Sequence, residues 1–253
     1  MKAKKAPSSF SLPGFSLLEI AMVLCIIGII GSFALPALTQ MMKQQKVHKT
    51  EQHLNQITQA LASFVLTHKR LPCAAAPGGS DGVSQNGRVI GLVPYRTLGL
   101  PEATAKDGYR HWITYAVVPE LTNTDDLMMP QTDSAPERVF CEISNPLAEV
   151  QVHDAQGRSV MQNSRGDFIA FVLVSHGTKG EGAFTDAGNR RPTSSHDKAV
   201  NAADDLIFVD RQPSADPDNF FDDTVRWVTR NNLLAIYGQK PCQRRDDANH
   251  SLD

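Results

Sequence analysis

The chain lacks a basic stripe, an internal repeat and any assembled catalytic motif, and each absence removes a class of reading. Of its 253 residues 25 are Lys or Arg and 27 are Asp or Glu, a formal net charge of −2. No positive face therefore marks a nucleic-acid surface. Val174-Ser175-His176-Gly177 lacks the leading glycine of a Gly-x-Ser-x-Gly nucleophile elbow. Ser175 and His176 are adjacent on a strand pattern and point to opposite faces, so they are poorly placed to share a proton with Asp186 or Asp204 as the orienting acid. His48, His53 and His68 are not at the three- and four-residue offsets that make a metal face on a helix. The sequence thus predicts no enzyme. Cysteine is scarce, at four residues. Cys25 falls in an apolar run and behaves as a small apolar side chain. Cys73, Cys141 and Cys242 remain, and they allow one bridge and one thiol in three pairings, a usage that fits an oxidising compartment. A bridge from Cys242 to Cys141 would tie down the tail, but the sequence leaves the pairing open.

Acid is also missing from the first 14 residues, which hold Lys2, Lys4 and Lys5. Behind them lies what the chain does have: an apolar run of about 19 residues, Ile20 to Leu38, close to the roughly 20 that cross about 30 Å of hydrocarbon. Lysines ahead of such a run predict a cytoplasmic N-terminus and a translocated C-terminal part. A cleavable secretory signal would have a shorter apolar core, about 7 to 15 residues, closed by a small-x-small site. One acid, Glu19, opens the run. A carboxylate in hydrocarbon costs roughly 2.5 to 3.5 kcal/mol, so it calls for a partner or a role. The plain alternative is that Glu19 snorkels to the headgroup level. Cleavage after Gly14 would place a new α-amino group on Phe15, one helical turn away, for a neighbouring subunit's Glu19 to neutralise.

Beyond the run, Val47, Leu54, Ile57, Leu61 and Phe64 recur at helical spacing and put one apolar stripe on one face. The pattern predicts a single helix from about Phe15 to Thr67, on the order of 80 Å long. Its first half would face lipid and its second half would lie on a sheet. Gly28, Gly31 and Pro36 predict a kink or local melting near Ser32 to Pro36. Leu71-Pro72 closes the helix, and Cys73 to Gly91 has loop composition.

The remaining chain has the scale of one domain. Its strand candidates are short and separated by turn residues, which predicts an antiparallel sheet and an α+β fold. They are His111 to Val118, Gln151 to Val152 with Arg158 to Met161, Phe168 to Ser175, Leu206 to Asp210 and Thr224 to Val228. Phe168 to Val174 is wholly apolar and should be the central strand under the helix.

Gly14-Phe15-Ser16-Leu17-Leu18-Glu19-Ile20-Ala21-Met22-Val23, with Pro36 further along, resembles the leader and N-terminal helix of type IV pilins and type II secretion pseudopilins. Gly14, Phe15, Glu19 and Pro36 match the family's cleavage glycine, first mature residue, fifth-position glutamate and helix proline. Lys106 to Tyr115 and Phe171 to Gly182 are similar, more loosely, to the turn-into-strand and strand-to-glycine-loop segments of the major-pseudopilin class. The resemblance implies a pilin fold divided as leader 1–14, transmembrane assembly helix 15–38, amphipathic continuation 39–70 and periplasmic domain 71–253. It also implies cleavage at Gly14 by a prepilin peptidase, N-methylation of Phe15, and assembly through Glu19 and Pro36 with other pilin or pseudopilin subunits. The further partners it implies are an inner-membrane assembly platform and membrane lipid. The implied place is the inner membrane, single-pass, and then a pilus or pseudopilus. The rival is a membrane-tethered periplasmic binding module or enzyme that does not polymerise.

In the same class the glycine loop is similar to part of a calcium site. Calcium takes 6 to 8 oxygens, and Asp204, Asp205, Asp222 and Asp223 are the candidates here. Thr178 stands where the family has its first loop aspartate, and a long insertion separates the loop from Asp204. The alternative use of these residues is in turns and helix starts.

Overall fold

A computed structural model describes residues 14, 16–78, 81–122, 150–161 and 167–239, with the side chains of 33–37 outside that description. The chain divides into two compact units, one ending at Gln45 and one beginning at Lys46. Helix α1, Leu17–His68, is assigned without a break.

In the first unit, Ser16 opens the helix: its Oγ accepts from the Leu18 amide at 3.3 Å and its carbonyl from the Ile20 amide at 3.1 Å. Glu19 lies in the first turn, where the helix dipole favours an acid. The helix runs through Ser32 and Pro36 without a break in its assignment. Proline removes one donor only, and the Ser32 hydroxyl donates to the Ile29 carbonyl at 2.7 Å. Among the described residues no helix is long and apolar enough to cross a membrane, and the apolar run includes 33–37.

In the second unit the α1 stripe is buried as its spacing demands. Leu54, Ile57 and Leu61 are fully covered, with Ala62, Phe64 and Val65 beside them, whereas Val47 is exposed. These covered residues, Phe64 aside, share one apolar core with the strands. Strands β1 (Ile90–Leu92), β2 (Thr114–Val117), β4 (Ile169–Ser175) and β6 (Thr224–Thr229) form an antiparallel sheet in the order β1-β2-β4-β6. All seven residues of β4 are buried, and it lies between β2 and β6 as its apolar run implies. The fold is α+β with an antiparallel sheet.

Several expectations change in detail. Strand β1 lies at the end of the segment read as loop; three residues around a glycine carry no periodicity. The expected strand from His111 starts only at Thr114, because residues 107–111 are held in a turn. Strands β3 (Gln151–His153) and β5 (Ile207–Val209) pair parallel, not antiparallel, and the long crossover between them allows it. The helix end is set by Lys69 at φ 58°, whose amide reaches the Val65 carbonyl at 2.8 Å.

Polar contacts fix α1 against the rest of this unit. The Thr50 hydroxyl accepts from the Gly108 amide at 3.0 Å, and His53 Nδ1 meets the Lys106 carbonyl at 2.5 Å. Arg226 donates to Glu51 at 2.5 Å and Asn55 at 2.9 Å.

Candidate functional site

Two places carry unusual chemistry. The first is the N-terminal helix surface. Leu17 is 91% exposed and Leu24 62%, and Ile20, Met22, Val23, Ile26, Ile27, Ile29 and Ile30 are all about half exposed or more. A helix apolar on every side belongs in a core or a bilayer. Gly14 and Glu19 are exposed beside it. Phe15 lies outside the described residues. Pro36 is within the helix, its side chain undescribed.

The second place is a buried ionic cluster at the end of β4. Helix α2, His196–Asn201, delivers Lys198, which is fully buried. Its Nζ donates to Asp222 Oδ1 at 2.6 Å, to Asp223 Oδ1, and to the His176 carbonyl at 3.3 Å. Asp222 Oδ2 accepts from the Thr178 amide at 2.7 Å. Asp223 Oδ2 accepts from Asn201 Nδ2 at 3.0 Å. Asn201 also bonds both main-chain groups of Val209 and so acts as an extra edge for β5. Gly177 is needed where loop and acid meet: its φ is 65°, and a Cβ there would stand 2.2 Å from the Asp222 carbonyl oxygen.

Burial opposes the Lys198 charge, yet Asp223 and Asp222 outweigh it and hold the ammonium above the ordinary lysine value. Burial pushes Asp223 up to about 6, against the pull of Lys198. His176 is completely buried; burial, then the charges of Arg190, Lys198 and His111, drive its pKa well below the usual imidazole value. Its Nε2 shares a hydrogen bond with Thr114 Oγ1 at 2.9 Å.

The four acids proposed for calcium are not brought together. Asp222 and Asp223 meet on Lys198, while Asp204 pairs with Arg190 at 3.1 Å and Asp205 accepts from the Ile207 amide at 3.1 Å. An ammonium stands where the two carboxylates converge, so the oxygens that calcium would take are in use. Among the described residues no group of three His, Cys, Asp or Glu could hold a metal. The residues present do not fit the ion.

The serine and histidine of the hydrolase reading are not joined either. Ser175 donates to Asp107 Oδ2 at 2.8 Å, His176 bonds Thr114, and Asp186 accepts from Trp112 at 2.7 Å. Of the cysteines, Cys73 is a buried free thiol; Cys141 and Cys242 lie outside the described residues. Sequence reasoning missed Lys198, Asn201 and Asp107. The available signal was the adjacent pair Asp222-Asp223, which needs a cation. No family model, curated protein or solved structure matches the chain.

Proposed function

We propose that the chain is a structural subunit of a type IV pilus or type II secretion pseudopilus, processed after Gly14 and assembled through its N-terminal helix. The observation that carries this reading is the helix surface from Leu17 to Ile30, apolar all round and left exposed among the described residues, with a single acid, Glu19, at its start. An apolar surface of that extent needs a bilayer, copies of itself, or both. The lysines of the leader, Lys2, Lys4 and Lys5, support an orientation of the segment with its start in the cytoplasm, and in the proposed subunit the domain after the helix is periplasmic. On this reading the helix is a pilin's transmembrane half, and the α+β unit is its globular head.

Glu19 supplies the register. In hydrocarbon its charge is costly, and the freed α-amino group of a neighbour's Phe15 neutralises it only when the two helices are set one turn apart. Glu19→Val should therefore leave membrane insertion and leader removal intact while reducing incorporation into filaments at least tenfold, on the order of 1.4 kcal/mol of lost pairing. Filament content is measured by immunoblot of sheared or overexpressed assemblies. Incorporation at the parental level would remove the register role.

A further inference from the structure

We propose that Lys198 is the resident cation of the loop cluster, tethered through α2, and that it lets this unit hold its glycine loop without any divalent ion. The stoichiometry supports this directly. A lysine ammonium has three N–H donors, and this one has three oxygen acceptors: Asp222 Oδ1, Asp223 Oδ1 and the His176 carbonyl. The other oxygen of each carboxylate is also engaged. Asp222 Oδ2 takes the amides of Thr178 and Lys179, and Asp223 Oδ2 takes Asn201. Every carboxylate oxygen of the pair thus already has a donor from the protein.

The geometry ties three separate pieces of chain to one charge. Residues 176–179 follow β4, Lys198 and Asn201 come from α2, and Asp222-Asp223 precede β6. A bound hard cation can gather loop carboxylates in the same way, but here the charge is covalently attached and cannot be chelated. Burial makes the arrangement exacting: with Lys198 and Asp223 covered, removing the lysine strands the buried Asp223 carboxylate beside the partly exposed Asp222, a far larger loss than that of a surface ion pair.

The test is thermal melting of the full chain, purified in detergent and followed by the fluorescence of Trp112 and Trp227. The parent should melt within about 1 °C of the same temperature in millimolar calcium chloride and in EDTA, since a ligand that does not bind the folded state adds no stability. Lys198→Met, which keeps the length and removes the charge, should melt lower by on the order of 10 °C. The double variant Lys198→Met with Asp223→Asn should recover a large part of that loss, because it also removes one stranded carboxylate. A parent that gains several degrees in calcium overturns the proposal, as does a Lys198→Met chain that melts with the parent or a double variant no better than the single. The calcium comparison stands even if the single variant does not fold. None of these measurements depends on assembly, so they and the filament experiment fail independently.

Discussion

Gly108 admits no side chain, because a Cβ there would stand 1.9 Å from the carbonyl oxygen of Lys46 on α1. The close approach lets its amide reach Thr50. Gly108→Ala must push the turn off the helix, and we expect it to cost roughly 2 kcal/mol or more, read as a lower urea midpoint; an unchanged midpoint would contradict the contact. Titration at the ionic cluster gives a second residue-scale prediction. The unfolded chain restores His176 to its ordinary value of 6.5, so below that pH the unfolded state takes up a proton the folded state refuses, and stability from this group falls as pH falls. Asp223 has the opposite sign. Its folded value of about 6 lies above the unfolded 3.8, so its contribution is full at low pH and is lost as pH rises through about 6. The two offset each other between about pH 4 and 6. Asp223→Asn removes the compensating proton, and its melting temperature should fall more steeply than the parent's between about pH 6.5 and 4.5. Parallel slopes would count against both assignments. Lys198, Arg190, Asp222 and His111 face the same site and are common to both chains.

At the scale of elements, two kinds of contact compete to explain what holds α1 on the sheet. Leu61 is fully buried in the core, and Leu61→Ala should cost about 2 to 5 kcal/mol. Arg226 bonds Glu51 and Asn55 where the ion pair's side chains are 34% and 39% exposed, so Arg226→Ala should cost about 1 kcal/mol or less. Urea melts that reversed this order would mean that the ion pair, not the stripe, anchors the helix. That stripe was legible in the sequence, since Leu54, Ile57 and Leu61 repeat at helical spacing, and so was β4, whose unbroken apolar run places it inside the sheet. Strand β1 was not legible: three residues around Gly91 hold their place through pairing with Thr114–Ala116, and that pairing is long-range. The parallel β3–β5 pair escaped for the same reason. The ionic cluster was hidden more deeply, because Lys198 meets Asp222 and Asp223 across 24 and 25 residues of chain, and no local pattern marks a lysine for burial.

At the scale of the whole molecule, the two units differ in kind. Among the described residues, the unit from Lys46 onward gathers most of its apolar side chains in one core and pairs its buried lysine, Lys198, with Asp222 and Asp223. The unit ending at Gln45 leaves its large apolar residues exposed from Leu17 to Ile30 and again at Leu38, Met41 and Met42, a surface that gains about 25 cal/mol for each Å² it removes from water. In the proposed subunit that surface meets lipid first and identical helices afterwards. A photo-reactive phenylalanine analogue at Leu24, in the middle of the exposed run, tests this most directly when the full chain is irradiated in intact cells that make the assembly. The account predicts a ladder of adducts at multiples of the chain's own mass, and adducts to lipid alone would contradict it.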